Sequence, residues 1–427
     1  MPEFLTLLPP DEARALLLSH LLRNQSMMGF ELIDVSLSLG RILAEDIIAP
    51  HPLPDFQRST VDGYAVRAGD THGASDSLPA YLDLIGEVPM GDAPAFQLGA
   101  GQCALIHTGG MLPDGTDAVV MLEYTQRTSE PHESPKTLAS LEEIEIFRAV
   151  AEGENVIRVG EDVAQGQLIQ AKGSLMRPAE IGGLMALGIV KVSVMRKVLV
   201  GLISTGDEVI DPIQSPRPGQ VRDINSFTLG ALVEKSGGIA KRYGIVADKF
   251  EVLKNAAATA LTECDVLIIT AGSSASTRDM TADVIRSLGA PGVLVHGINT
   301  RPGKPTILGA CDGKAVIGLP GNPVSALVNG YLFVVPVIEK LLGALPRPKP
   351  TVLARLTVNL PSQAGREDWW PVKLIGTRNS ELGNLDAEPI FGKSNLIFTL
   401  AFADGLLRIS PDATGLSAGK TVEVLLI

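Results

Sequence analysis

The sequence predicts a multidomain protein with α/β and β parts, built around an α/β domain with a parallel sheet. Three observations carry this reading. Between 196 and 345, apolar runs at 198–203, 240–246, 266–270 and 315–319 alternate with helix-like segments at 225–236, 250–262, 280–288 and 323–341. Strands alternating with helices build a parallel sheet covered on both faces. Residues 51–149 and 351–427 instead carry short apolar runs between Gly, Pro and Asp turns, a β-rich texture. Finally, 427 residues at about 150 per domain leave room for two to four domains.

Each element has its own local reason. Pro9-Pro10 followed by Asp11 and Glu12 is a helix start, and Ala13, Leu17 and Leu21 then share one face, so 11–24 reads as an amphipathic helix. In the β-rich insert the strand candidates are 81–85, 103–106 and 118–122, and the polar stretch 127–137 reads as an exposed loop. Pro178-Ala179-Glu180 opens a helix that ends near Gly188, and a strand follows at 191–194. Pro346-Arg347-Pro348-Lys349-Pro350 is a stiff linker, and the tail beyond it reads as a small barrel or sandwich.

Composition excludes several classes. The net charge of −12, from 36 basic and 48 acidic residues, opposes nucleic acid or an anionic membrane as partner. Aromatics at 4% disfavour a base-stacking surface. Cys103, Cys264 and Cys311 form no C-x-x-C pair, and the histidines form no H-E-x-x-H, so zinc chemistry and a disulfide framework are not expected. No run of 18 uncharged apolar residues occurs and the N-terminus has no basic leader, so a soluble, cytoplasmic protein is expected.

The chemistry concentrates in loops after the α/β strands, where ligands of open α/β sheets sit. Thr205-Gly206-Asp207-Glu208 follows the first strand, Gly272-Ser273-Ser274 the third, and Pro320-Gly321-Asn322-Pro323-Val324-Ser325 the fourth. Gly and Ser let backbone approach an anion closely, and each loop feeds a helix. Asn322 with Pro323 is a helix-start signal, and Asp279 stands where it would cap a helix beginning at Met280. Arg301-Pro302-Gly303-Lys304-Pro305 is the strongest cation cluster, suited to an oxyanion such as phosphate or molybdate. Carboxylates at Asp62, Asp162, Asp207, Glu208, Asp248 and Asp279 lack His or Cys neighbours and so suit Mg²⁺. No P-loop or dinucleotide fingerprint is present.

These residues carry a resemblance. Pro52-Leu53-Pro54, Ser59 through Ala65, Thr108-Gly109, Gly115 through Val120, Asn155 through Arg158, Gly160-Glu161-Asp162, Ser204 through Glu208, Arg301 through Pro305 and Gly318 through Ser325 occur in family order over nearly the whole chain. Together they resemble the molybdopterin molybdenumtransferases, bacterial MoeA and the E domain of gephyrin. The resemblance implies an elongated domain I (1–50 and 150–195), a β-rich domain II insert (51–149), an α/β molybdopterin-binding domain III (196–345) and a C-terminal β-barrel domain IV (346–427). It implies a homodimer with a cleft between domain III of one subunit and domain II of the other. The implied reaction inserts molybdate into adenylylated molybdopterin and cleaves the pterin–AMP anhydride with Mg²⁺. Working partners would include a molybdopterin adenylyltransferase and molybdoenzyme chaperones.

Carried over motif by motif, Asp62, Thr108, Asp162 and Glu208 are the cleft residues, and Asp248 and Asp279 hold Mg²⁺ or the nucleotide end. Pro320 and Pro323 shape the pterin-phosphate loop, and Arg301, Lys304, Arg366 and Ser394 form the molybdate or phosphate pocket. The family loop commonly begins Ser-Gly-Gly with a later Gly-acid pair. This chain has Ala271-Gly272-Ser273 and Thr277-Arg278 instead, which stiffens the loop. Gly392-Lys393-Ser394-Asn395 matches one branch of the family. Two other functions fit the same fold: a non-catalytic molybdopterin-binding scaffold, and a nucleotide hydrolase acting on another pterin-like or ADP-ribose-like anhydride.

Overall fold

The computed structural model describes residues 7–21, 29–128, 142–272, 275–376 and 385–427, with the backbone alone at 275–278. The expected loop over 127–137 therefore falls largely outside the described residues, as do Ser273 and Ser274. The chain folds as two compact units. The larger holds 1–44, 172–177 and 191–427; the smaller holds 45–171 and 178–190.

In the larger unit the four expected strands appear as Gly238–Val246, Val198–Thr205, Val266–Ala271 and Lys314–Pro320, side by side in that order and all parallel. Two further strands, Ile307–Cys311 and Pro291–His296, extend the sheet antiparallel beyond Lys314–Pro320. Periodicity does not single these two out, because they form a returning hairpin with no helix between them and the last parallel strand. The sheet is buried on both faces, and period-two alternation sorts its residues. Val266 and Ile268 face a core with Leu229, Val233, Phe333 and the N-terminal helix residues Ala13 and Leu17. Leu267 and Ile269 face a second core with Leu253, Ala257 and Ile285.

The helices of this domain are Asn225–Lys235, Phe250–Glu263, Ala275–Ser287 and a run from Pro323 to Leu341. The run from Pro323 is 19 residues long, the span the sequence reading gives it, and apolar enough to cross a membrane. Yet 61% of its apolar window is buried, with Val328, Phe333 and Val337 in the core, so it serves as a core helix. The N-terminal helix spans Pro10–His20. Beyond the prolines, the tail closes as a barrel rather than a sandwich. Strands Glu367–Gly376, Leu385–Pro389, Thr351–Leu356, Thr421–Leu426 and Gly405–Ile409 pair in a ring, because Glu367–Gly376 also bonds Gly405–Ile409. A two-residue strand, Thr300–Arg301, adds to it in parallel.

The smaller unit carries a six-stranded sheet in the order Ala118–Met121, Gly63–Val66, Gln102–Ile106, Ala80–Glu87, Glu142–Ile146, Thr125–Arg127. Tyr64, Val66, Leu82, Val120, Ile144 and Ile146 form its core.

Candidate active site

In the larger unit, the loops expected to bind a ligand all leave the carboxyl ends of neighbouring parallel strands. From one edge inward they carry Asp248, then Thr205 to Glu208, then Gly272, then Gly321 and Asn322. Three strand spacings of about 4.8 Å separate the first from the last, roughly 14 Å. The row is acidic at one end and basic at the other.

The basic end is a cavity of about 670 Å³. It gathers Gly272, Arg301, Lys304, Pro320, Asn322, Ser325, Arg366 and Ser394 from the expected set. Backbone packing explains how. Gly303, with φ of +104°, lies so close to Asn329 that a Cβ there would stand 1.7 Å from the Asn329 amide nitrogen. Asn329 Nδ2 donates to the carbonyls of Pro302 (3.1 Å) and Ser325 (2.8 Å), tying the cation loop to the core helix. Asn225 Nδ2 donates to the Gly321 carbonyl at 2.9 Å, and the Val324 N–H donates to the Ser394 carbonyl at 3.0 Å, bringing the barrel loop onto the same wall. Asn322 occupies the N-cap position with Pro323 next, but its side chain makes no cap bond.

Sequence reasoning did not single out several lining residues, among them Asp368 and Trp370. Arg301 lies over the Trp370 ring, its guanidinium carbon 5.3 Å from the centroid. A signal existed: the only two tryptophans of the chain, Trp369 and Trp370, directly follow Arg366-Glu367-Asp368.

At the acidic end, Asp248 is half-buried and its Oδ1 is buried without a hydrogen-bond partner. Burial pushes its carboxyl up, and the charges of Asp207 and Glu208 add to this. The Thr205 hydroxyl opposes the shift, facing the carboxyl short of full hydrogen-bond geometry. The Asp248 N–H donates to Asp207 Oδ1 at 3.4 Å. Glu208 is exposed, and a Cβ on Gly206 would meet its Oε2 at 2.8 Å. Asp279 is exposed and does not cap a helix. The helix begins at Ala275, which places Asp279 a full turn inside it. No three His, Cys, Asp or Glu side chains converge as a protein-only metal centre among the described residues. The three cysteines are free and buried, which pushes the Cys103 thiol to about 12 and that of Cys311 to about 11, so neither supplies a thiolate near neutrality.

In the smaller unit, Asp62 accepts from the Thr108 N–H at 2.7 Å and the Thr108 hydroxyl at 3.1 Å. These bonds, the backbone one first, hold its carboxyl below the usual range, with His107 adding. His107 Nδ1 is 3.9 Å from Asp62, and its Nε2 is 2.9 Å from Glu87, a neighbour the sequence did not indicate. Gly63 follows Asp62 because a Cβ there would fall 1.9 Å from the Val120 carbonyl oxygen. Asp162 is exposed. Its loop and that of Asp62 leave opposite ends of the short antiparallel ladder formed by Arg58–Ser59 and Val156–Ile157, so the ladder does not join the two carboxylates.

An α/β sheet with its loops at the carboxyl edge, followed by a closed barrel that shares one cation-lined cavity with them, is the class of protein that the fold and cavity define. Residues 201–340 match the family described as probable molybdopterin binding domain. Residues 8–188 match the MoeA N-terminal region (domain I and II), and 353–427 the MoeA C-terminal region (domain IV). The chain is 32% identical to a molybdopterin molybdenumtransferase of Bacillus subtilis strain 168, covering 100% of this chain and 96% of that one. It is 31% identical to the enzyme of the same name from Haemophilus influenzae, covering 97% of each. It is similar to the crystal structure of the molybdopterin biosynthesis MoeA protein from Pyrococcus horikoshii OT3, with 32% identity, TM-score 0.83, and coverage of 99% and 100%. The chain belongs to the molybdopterin molybdenumtransferase family.

Proposed function

We propose that this chain is a molybdenum insertase, which places molybdate in adenylylated molybdopterin and releases AMP by cleaving the pterin–AMP anhydride. The observation that carries this reading is the cavity beside the molybdopterin-binding sheet, where Arg301, Lys304, Arg366 and Lys393 gather in a chain of net charge −12. Such a concentration against the overall field suits a small dianion. Arg offers planar donor pairs that match a tetrahedral oxyanion, and Lys adds point charge. The curated relatives carry the name of an enzyme, which favours turnover over a scaffold.

The acidic end of the row suits the anhydride. Mg²⁺ prefers one or two carboxylates completed by phosphate oxygens and water. The orphaned, half-buried Asp248 Oδ1, with Asp207 and Glu208 beside it, fits such a partial ligand set. When bound there, Mg²⁺ neutralises charge on the anhydride. Asp279, exposed on the helix after the third strand, is a candidate second carboxylate. Asp279→Asn removes no helix cap, so normal AMP release by that variant at limiting Mg²⁺ would exclude Asp279 from metal binding. Gly272, whose loop stands between the two ends of the row, is the place we assign to the pterin phosphate.

Asp62, held ionised by Thr108, is an acceptor suited to orienting a donor group of the substrate. We place it across a dimer cleft from the α/β loops, with Asp162 contributing from the same unit. Phe30, Leu32, Leu37 and Leu39 are strongly exposed, an apolar group that suits burial against a second copy. Light scattering that returned a monomer mass at micromolar concentration would sink the dimer. The four-domain division, cytoplasmic location and hand-over to an adenylyltransferase and molybdoenzyme chaperones belong to the same proposal.

The deciding experiment incubates the protein with adenylylated molybdopterin, molybdate and Mg²⁺ and follows AMP. Release that depends on molybdate is expected. No release refutes the reading, and release at the same rate without molybdate would turn it into the hydrolase.

A further inference from the structure

The wall of the oxyanion cavity carries a group of the wrong sign. Asp368 lines it and is 1% exposed. A carboxylate beside a bound anion repels it, and burying that carboxylate costs desolvation as well. What it touches accounts for its place. Asp368 Oδ1 accepts from Arg366 Nε at 2.7 Å and Oδ2 from Arg366 Nη2 at 3.0 Å, a two-point fork. Oδ2 also lies 3.9 Å from Arg301 Nη1.

The topology enforces this meeting. Thr300–Arg301 pairs in parallel with Glu367–Gly376, and the register sets Arg301 directly opposite Asp368. Arg301 is further bounded by the Trp370 ring at 5.3 Å, and Trp370 is braced edge-on by Phe391, ring centroids 5.6 Å apart. One carboxylate thus fixes a cation from the α/β domain's loop and a cation from the barrel. Arg366 has five N–H donors. The fork uses two and Gln363 takes a third at 3.5 Å, which leaves donors for a ligand.

We propose that Asp368 is a positioning residue for oxyanion binding, holding Arg366 and Arg301 in register so that their remaining donors meet the anion together. Free arginine side chains lose rotamer entropy when a ligand orders them; the fork orders Arg366 beforehand. The inference rests on reading this cavity as the oxyanion site.

The sign of one substitution tests it. Asp368→Asn keeps the shape and removes a negative charge from the wall. If charge alone mattered, molybdate would bind more tightly. Positioning predicts the opposite: a molybdate Kd weakened roughly tenfold or more by calorimetry on the full chain. It also predicts a raised KM for molybdate with kcat changed less than about twofold, whereas a merely structural fault lowers the active fraction and leaves KM alone. Unchanged or tighter binding overturns the proposal. Should Asp368→Asn fail to fold, Arg366→Lys decides. It preserves the charge and loses the fork, so wild-type affinity in that variant overturns the proposal and a comparable loss supports it. Wild-type protein that binds no molybdate would refute the molybdate reading instead. The same comparison on inorganic phosphate then decides Asp368, and failure of wild type to bind either anion overturns both.

Discussion

Replacing Gly303 by alanine strikes the joint between the cation loop and the core helix. The residue has φ of +104°, which costs an L side chain about 1–3 kcal/mol. The added Cβ would stand 1.7 Å from Asn329 Nδ2, inside a side chain that is 0% exposed. Asn329 cannot yield without giving up its bonds to the Pro302 and Ser325 carbonyls, at about 1 kcal/mol each. The expected destabilisation is therefore about 3–5 kcal/mol. Gly244→Ala is the internal reference. Gly244 also has a positive φ, +83°, but nothing lies within 4 Å of its Cβ position, so only the backbone term of about 1–2 kcal/mol applies. Both tryptophans lie in the larger unit, so their fluorescence in a urea titration reports that unit's unfolding. Gly303→Ala should unfold at clearly lower urea than Gly244→Ala, by the equivalent of about 2 kcal/mol, and should alone lose molybdate affinity. Equal midpoints for the two variants would refute the packing argument.

Other outcomes follow from the same geometry. Arg301→Ala combined with Lys304→Ala, both exposed, should weaken molybdate binding by roughly 10- to 100-fold in calorimetry, with an unchanged melting temperature. The raised carboxyl of Asp248 means the folded state holds its proton more tightly than the unfolded chain does. The ionised form therefore costs stability at neutral pH, and the cost disappears as pH falls below the ordinary carboxylate range. Asp248→Asn should raise the melting temperature at pH 7, by the equivalent of about 1 kcal/mol because water screens a half-buried group, and should have no effect at about pH 3. Asp265 has the opposite sign. Burial pushes its carboxyl up, but the Arg196 fork and the Leu199 N–H pull it down further, leaving it below its ordinary value. Its contribution is present above the ordinary carboxylate value and is lost as pH falls through the lowered one. Asp265→Asn should cost about 1.5–3 kcal/mol at pH 7, a difference that closes in an acid titration of unfolding.

Much of this protein was legible in the chain, because the relevant physics is local. The alternation of apolar runs with helical segments specified four parallel strands and their helices, since a sheet buried on both faces needs continuous apolar strands. Glycine spacing marked the loops at the sheet's carboxyl edge, whereas the strand that Gly63 opens, at a place where no Cβ fits, came from tertiary packing. The start of the helix carrying Asp279 was misread by five residues, because Ala275 to Asp279 offers no proline and no apolar period to announce it. The hairpin of Ile307–Cys311 and Pro291–His296 escaped notice because its partner strand, not its own pattern, makes it part of the sheet. Tertiary structure alone decided the cavity. Arg301 meets Asp368 across 67 positions of chain because a two-residue strand joins the barrel in one register. Lys393 and Ser394 join the same wall through a hydrogen bond to Val324. Sequence specifies which side chains are available and which local conformations they favour. Register and closure specify which of them meet, because those depend on pairings between segments whose separation no local pattern encodes.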